Sequence, residues 1–541
     1  MVARSSNKNA VAFWFLLEII CLVLVFWLTH GNSPPDVNEA HYLTKAKHYW
    51  NPAFCPDDFF LSSADAHLVF YWVCGWLTLF FDLETVAWVG RAFSWVLLAS
   101  SLVSIGQRVC FEKLAGLFVG GAFVILTEVC HLAGEWVVGG FEAKTIAYGL
   151  AFWGIRFAMD ARWRGVWLLT GTAAAFHVLA GGWIVFCLIV FRIVSIKLKG
   201  PRPTGKELVG LVVGGLVALG GLIPGLLLSS GDAEIAAEAN RLYVHVRLPH
   251  HLVITTFAVE RWALFSSLTG GTLLLWINTG KWRCDGQRVI VGIGLVSVIV
   301  AIAGIVITIS LGNDSTLQHS LLRFYFYRTS DTLVPLAASL LAGLVVFRVA
   351  EETGKGWRLS ASILLLMLGL YVGDRIKERH ADPRPRGDVL TLPSSKKTDP
   401  EQRRANTLRI HRHWRLACLW MKNNTPHDAI AITPLRQQTF KWYSHRGEVV
   451  TRKDMPQDAK SLLQWHERRE SVYPFVGGRR GLSRLDDDYL LASCRHYGAD
   501  YLVLTQFSES SRNRFADDVR IEKVFPPAGR FSYYAVYKLK D

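Results

Sequence analysis

The chain has 541 residues, of which 51% are hydrophobic, 12% are aromatic and only 19% are charged, and its formal net charge is +15. This composition excludes a disordered chain and an ordinary soluble enzyme, and it is typical of a polytopic membrane protein. The segment from Arg375 to Asp541 has 32 Lys and Arg against 20 Asp and Glu, a surplus of 12. The sequence therefore predicts a transmembrane domain over residues 1–374, a linker over 375–407 and a soluble α/β domain over 408–541.

Eleven apolar segments of the first part are predicted to be membrane-spanning helices, because a helix needs about 20 mostly apolar residues to cross a bilayer. They are Ala10–Leu28, Thr85–Ile105, Leu114–Leu132, Thr145–Ala158, Gly165–Leu179, Gly181–Ile196, Leu208–Leu228, Thr255–Ile277, Val289–Leu311, Thr332–Phe347 and Leu359–Gly373. A further segment, His67–Phe81, is shorter and is expected to be interfacial or re-entrant.

The loops between these segments alternate in charge. With the N-terminus inside, the inner loops contain basic residues such as Arg108 and Arg202, whereas the outer loops contain acidic residues such as Asp36, Glu39 and Glu142. This is the positive-inside pattern, and it predicts an extracytoplasmic C-terminal domain, since long domains cross membranes largely regardless of charge. If His67–Phe81 spanned the membrane, every later loop would change sides and the pattern would fail.

The C-terminal domain is expected to alternate helices and strands. The predicted helices are Leu408–Asn423, Ala459–Glu470 and Asp488–His496, and the predicted strands are Ala429–Thr433, Tyr501–Leu504 and a closing hairpin of Ile521–Phe525 with Tyr533–Leu539. This order indicates a small α/β domain. The chain contains no G-x-x-x-x-G-K or G-x-G-x-x-G phosphate loop.

Acidic side chains follow the first predicted helix and precede the fourth. Asp36 and Glu39 lie beside apolar and aromatic residues, where burial could raise the pKa of a carboxyl so that it serves as a general base. Glu142 and Lys144 lie at the membrane boundary, where ionisable groups are costly and often functional. The alternatives are acids at helix N-termini and a lysine that extends its ammonium to the membrane surface. We expect carboxylates from the two outer loops to converge on one external site.

Two later stretches are basic and aromatic. One contains Arg241, Arg247 and His250, and the other contains Arg323 and Arg328. Cations at a membrane surface suit a phosphate group, so an anionic lipid is the predicted partner; the alternative is an ordinary aromatic belt. We expect no metal at the His250–His251 pair, because adjacent residues point apart on regular structure.

The order of these features resembles the GT-C class of polytopic glycosyltransferases, which take sugars from polyprenyl-phosphate carriers on the outer face of a membrane. It is also similar to an uncharacterised bacterial, planctomycete-type membrane family related to that class. The matching elements are the outer loop from Asn38 to Tyr42, the segment Asp65–Trp72 and, in the second outer loop, Glu142.

The resemblance implies a base in the first outer loop, but the first member of the expected acid pair, Asn38–Glu39, is an amide here. The base role would then fall to Glu39 or Asp36, and His67 matches a cation expected near the carrier phosphate. The implied partners are a polyprenyl-phosphate-linked sugar and membrane lipids, with no nucleic acid, in a bacterial cytoplasmic (inner) membrane.

Two other classes of function fit the same residues. A lipid or solute transporter or flippase would also need ionisable groups within the membrane, although we find no half-to-half similarity. A catalytically inactive assembly factor is favoured if Asn38 means that activity is lost. The sequence assigns no certain cofactor, and a divalent metal is an open alternative.

Overall fold

The structure is a computed structural model that describes residues 8–110, 112–198, 200–228, 231–280, 285–354, 356–390 and 399–540. Its first part is helical. The helices are α1 (Lys8–His30), α2 (Glu39–Trp50), α3 (Leu68–Cys74), α4 (Leu83–Cys110), α5 (Ala115–Val129), α6 (Ala143–Ala158), α7 (Trp163–Phe176), α8 (Val178–Lys197), α9 (Gly205–Leu227), α10 (Ala233–Arg241), α11 (Pro249–Leu252), α12 (Val259–Asn278), α13 (Asp285–Leu311), α14 (Thr316–Leu322), α15 (Ser330–Glu352) and α16 (Gly356–Ala381).

Each of the eleven predicted spans coincides with a helix: α1, α4 to α9, α12, α13, α15 and α16. Among the described residues, seven helices are long and apolar enough to cross a membrane: α1, α4, α8, α9, α13, α15 and α16. Helices α5, α6 and α7 are shorter, with 15, 16 and 14 residues. The segment His67–Phe81 forms α3 and a 3₁₀ turn, Gly75–Leu79. The chain is therefore a polytopic α-helical membrane protein, as predicted.

The membrane helices pack through small residues and leave large apolar side chains on their outer faces. A Cβ on Gly171 of α7 would overlap the backbone of Gly214 in α9, so glycine allows these two helices to approach closely. Ile309 and Leu365 are 72% exposed, as expected of side chains that face lipid.

The C-terminal domain is built on a five-stranded sheet. Its helices are α17 (Pro400–Asn424), α18 (Phe440–Ser444), α19 (Ala459–Val472), α20 (Asp487–His496) and α21 (Glu509–Arg512). Its strands are β1 (Ile430–Ile432), β2 (Gly447–Glu448), β3 (Phe475–Val476), β4 (Arg479–Arg480), β5 (Tyr501–Thr505), β6 (Ile521–Phe525) and β7 (Tyr534–Leu539). The sheet order is β2-β1-β5-β7-β6, while β3 and β4 form a separate hairpin.

The predicted helices and strands of this domain are confirmed, including the antiparallel closing hairpin of β6 and β7. Strands β2 and β5 run parallel to β1 on either side of it. Helix α16 continues to Ala381 and α17 begins at Pro400, so both helices extend into the predicted linker of residues 375–407. Residues 391–398 of that linker lie outside the described residues.

The sheet is covered on both faces. Tyr501, Val503 and Tyr534 belong to a core shared with α17 and with the first outer loop. Leu502 and Tyr537 point to the other face, in a core with α19, α20 and α10. The C-terminal domain is therefore joined to the outer loops through two apolar cores.

Candidate functional site

Glu39 lies in a buried ion pair with Arg91 of α4. One carboxylate oxygen accepts from Arg91 Nε at 2.6 Å, and the other accepts from Arg91 Nη2. The backbone N–H groups of Phe141 and Asp36 also donate to this carboxylate, at 2.6 and 2.7 Å. Glu39 and Arg91 are fully buried. This carboxylate is shielded from solvent and accepts four hydrogen bonds, so it holds the two outer loops in position. Such a geometry does not favour the expected role of Glu39 as a base.

Asp36 and Glu142 lie next to this ion pair, one in each outer loop. Asp36 Oδ1 accepts from Val37 N at 2.7 Å, whereas its Oδ2 has no hydrogen-bond partner among the described residues. Glu142 accepts from Asn38 Nδ2 at 2.7 Å and from Trp136 Nε1 at 3.1 Å. Burial raises the pKa of Glu142, and the nearby Asp36 raises it further. The two predicted acids therefore converge, and Asn38 hydrogen-bonds one of them.

Glu135 joins two of the predicted substrate-binding cations. Lys144 Nζ donates to Glu135 at 3.1 Å and lies 4.0 Å from Glu142. Arg328 forms an ion pair with Glu135 at 2.7 Å. Asp331, which is fully buried, accepts hydrogen bonds from the backbone N–H groups of residues 132, 133 and 135. The second outer loop is thus held against the start of α15, so that Lys144 and Arg328 meet at one carboxylate.

Three arginines surround a hydrogen-bonded tyrosine pair. Tyr243 and Tyr325 are joined through their hydroxyls at 2.8 Å, and both lie within electrostatic range of Arg247, Arg323 and Arg328. Arg323 Nη1 donates a hydrogen bond to the side-chain amide oxygen of Asn240 at 2.6 Å. Arg247 has no hydrogen-bond or ion-pair partner among the described side chains, and its Nε is buried.

Lys453 of the C-terminal domain adds a further cation. Burial, Arg247 and Lys144 lower its pKa to about 8, while Glu142 opposes the shift. Lys453 therefore lies within electrostatic range of Arg247, Glu142 and Lys144. The resulting cluster contains more cations than carboxylates and has residues from the outer loops and from the C-terminal domain.

Three of the predicted cations do not contribute a free positive charge to this cluster. Burial lowers the pKa of His67 to about 3, so its imidazole is neutral, and its Nε2 is hydrogen-bonded to Tyr42 at 3.0 Å. Burial, Arg247 and Arg452 lower the pKa of His250. Arg241 is exposed and is neutralised by Glu238 of the same helix at 2.6 Å. These surroundings do not favour His67, His250 and Arg241 as the cations that bind a phosphate.

A cavity of about 760 Å³ lies beside the two acids. Val37, Glu135, Trp136 and Arg386 line part of it. Arg386 Nε is 3.7 Å from Asp36, so the cavity wall contacts both Asp36 and, through Trp136, Glu142. Within the described parts of the chain, no group of three or more His, Cys, Asp or Glu side chains is arranged to hold a metal ion.

Sequence reasoning did not identify Arg91, Asp331 or Lys453. A signal existed for Arg91 and Asp331, because each is an ionisable residue within or at the end of a predicted span and so needs a polar partner. Lys453 had no such signal, since it belongs to a soluble domain in which lysines are ordinary.

Comparison with known proteins adds little on function. A family profile described as Domain of unknown function (DUF6798) matches residues 412–472. No curated protein matches the chain. An oligosaccharyltransferase from Archaeoglobus fulgidus, solved in complex with Zn and sulfate, has 12% identity and a TM-score of 0.43 over 90% of this chain and 68% of its own. The arabinofuranosyltransferase AftD from mycobacteria has 14% identity and a TM-score of 0.47 over 98% of this chain, which spans 40% of its length.

Proposed function

We propose that this protein transfers a sugar from a polyprenyl-phosphate carrier to an acceptor hydroxyl on the extracytoplasmic face of a bacterial cytoplasmic membrane. One observation carries the proposal: Glu142 lies beside Asp36, Lys144 and Lys453, and Lys453 lies within electrostatic range of Arg247, so that carboxylates meet a larger number of cations at the outer loops. The resemblance of the outer-loop motifs to GT-C glycosyltransferases supports it.

Asp36 is the proposed general base. A base needs an oxygen that can accept the proton of the acceptor hydroxyl, and Asp36 Oδ2 has no hydrogen-bond donor among the described residues. Both oxygens of Glu142 already accept hydrogen bonds. Glu142 therefore holds Asn38 and Trp136 in place, and Glu39 fixes the loop backbone that leads to Asp36.

The cations are proposed to stabilise the leaving group. As the acceptor oxygen attacks the anomeric carbon, the bond from that carbon to the carrier phosphate breaks and the phosphate gains negative charge. Positive groups aimed at a developing charge lower the barrier because they are already oriented before the reaction. Arg247 is the best placed for this role, since none of its nitrogens is paired with a described side chain.

The test measures release of free carrier lipid. Full-length protein in lipid nanodiscs is incubated with radiolabelled polyprenyl-phosphate sugars of several sugar types and a mixed acceptor fraction from bacterial envelopes. Asp36→Asn should lower turnover by about 10²–10⁴-fold while the protein remains folded. Asp57→Asn, an exposed acid of the same loop, is the matched control and should retain full activity.

Full activity in Asp36→Asn would remove that residue from the mechanism. Movement of intact carrier lipid across the nanodisc or vesicle bilayer without cleavage would instead support a flippase. Absence of both reactions with every donor tested would favour an assembly factor without catalytic activity. The amide at Asn38, in place of the expected acid, is compatible with that interpretation.

A further inference from the structure

The C-terminal domain has a second cavity, of about 850 Å³, whose wall contains five arginines. They are Arg436, Arg452, Arg469, Arg480 and Arg484. The cavity lies at the carboxyl ends of the three parallel strands. Pro434 to Arg436 follow β1, Arg452 lies shortly after β2, and Thr505 is the last residue of β5.

The sheet topology opens a crevice at this position. After β1 the chain passes to α18, which belongs to the same core as α17, and after β2 it passes to α19, which belongs to the core on the opposite face. The connections therefore leave neighbouring strands toward opposite faces. Ligands of open α/β sheets bind outside the carboxyl ends of strands at such a switch point.

The five arginines are poorly neutralised. Glu470 is the partner of both Arg469, at 2.8 Å, and Arg480, at 2.6 Å. Arg436 and Arg452 have no side-chain hydrogen bond or ion pair among the described residues. Arg469 is only 12% exposed, and its Nε is buried without a partner. Burial and repulsion from Arg436 and Arg469 lower the pKa of Arg452.

Holding like charges together is unfavourable, so an anion that occupies the cavity would be bound strongly. Guanidinium groups match the geometry of phosphate oxygens through paired hydrogen bonds, and several arginines around one cavity favour a ligand with several charged oxygens. A backbone hydrogen bond of 3.0 Å from Arg452 N to Leu435 O fixes the segments that carry Arg436 and Arg452. The side chains of Arg436, Arg452 and Arg484 are exposed, so the backbone that carries the cationic wall is fixed while these guanidinium groups are accessible to a ligand.

We infer that this cavity is a binding site for a multiply charged phosphate ester, with a diphosphate group as the smallest unit that engages it. Of the residues that line this cavity, only Leu390 also lines the 760 Å³ cavity, although Arg452 and Arg469 lie within electrostatic range of Arg247. The two cavities therefore have different walls, and diphosphate binding can be tested apart from the proposed glycosyl transfer. A lipid diphosphate headgroup and a water-soluble diphosphate share the required chemistry.

The experiment titrates inorganic pyrophosphate into full-length protein in detergent and measures heat or thermal stabilisation. The double variant Arg436→Gln/Arg452→Gln should weaken binding on the order of 100-fold, because each lost charge-assisted hydrogen bond costs about tenfold or more. Arg495→Gln, an exposed arginine of α20 outside the cavity, should bind as the wild type does. Asp36→Asn should also bind as the wild type does, so this result is separable from the test of catalysis.

A short-chain polyprenyl diphosphate in nanodiscs then distinguishes the two sources. Tighter binding than pyrophosphate, with mutual competition, identifies a lipid headgroup, whereas equal or weaker binding identifies a soluble ligand; both support the inference. Absence of pyrophosphate binding by the wild type, unchanged affinity in the double variant, or equal affinity for citrate would overturn it, since citrate offers charge without phosphate geometry.

Discussion

A buried cluster at the domain boundary joins one ammonium group to three carboxylates. Lys441 Nζ lies 2.5 Å from Glu448, 2.6 Å from Asp454 and 3.3 Å from Asp58. Asp58 belongs to the first outer loop, and the other three residues belong to the C-terminal domain. Burial, together with repulsion from Asp454 and Asp58, raises the pKa of Glu448 to about 7 although Lys441 opposes the shift.

This shift predicts that Glu448→Gln stabilises the protein above neutral pH. A carboxyl whose folded-state pKa exceeds its unfolded value stabilises the fold below about pH 4.5, and that contribution is lost as pH rises to about 7. At 1.36 kcal/mol per pKa unit, the charged carboxylate costs the wild type roughly 3 kcal/mol at pH 8. Glutamine keeps the shape and can still accept from Lys441 and hydrogen-bond Thr433, but it does not ionise.

The measurement is the thermal unfolding temperature of wild type and Glu448→Gln in detergent at pH 5, 6, 7 and 8. For a domain of this size, about 3 kcal/mol corresponds to a rise of roughly 10 °C at pH 8, and the difference should shrink toward pH 5. Glu522→Gln, an exposed glutamate of β6, is the matched control and should show no pH-dependent difference. A variant less stable than the wild type at pH 8, or an equal gain at every pH, would refute the electrostatic reasoning.

Two further predictions concern the outer loops. Gly140→Ala would place a Cβ 2.7 Å from Asp36 Cβ and Glu39 Cγ, so it should destabilise the protein by about 1–3 kcal/mol in thermal unfolding, whereas Gly139→Ala, whose nearest contact is 3.5 Å, should not. Binding of a polyprenyl phosphodiester, measured by fluorescence titration, should weaken as pH rises through about 8 and Lys453 loses its proton, and Lys453→Met should remove this pH dependence. An unaltered pH profile in that variant would exclude Lys453 from the binding site.

The membrane helices and most of the C-terminal sheet could be predicted because apolar runs and strand patterns are properties of short segments. Strand β2 could not, since its two residues, Gly447 and Glu448, have no alternation and are a strand only through their pairing with β1. The residue types of the candidate site could also be predicted, because charged groups at a membrane boundary are costly and stand out.

The state of each charged group depended on partners that are distant in sequence. Glu39 resembles an accessible loop acid until Arg91, 52 positions later, is seen to pair with it. His67 resembles a cation, but burial makes its imidazole neutral. Tertiary contacts therefore decide which acids are free to accept a proton and which cations keep a charge, and no local pattern contains that information.

The contact between Asp58 and Lys441 also predicts the sidedness of the protein, because it requires the first outer loop and the C-terminal domain to lie on one side of the membrane. After that loop come six of the seven long apolar helices found among the described residues, or ten of the eleven predicted spans, and both even counts keep the loop and the C-terminal domain on one side. Helix α1 alone separates the N-terminus from that loop, so the N-terminus lies on the opposite side. Val519, which is 84% exposed, and Arg202, which is exposed between α8 and α9, provide the test. A membrane-impermeant maleimide should label Val519→Cys in intact cells but Arg202→Cys only after permeabilisation, with the wild type as background. The reverse labelling would place the Asp36 site in the cytoplasm, where extracytoplasmic sugar transfer is impossible.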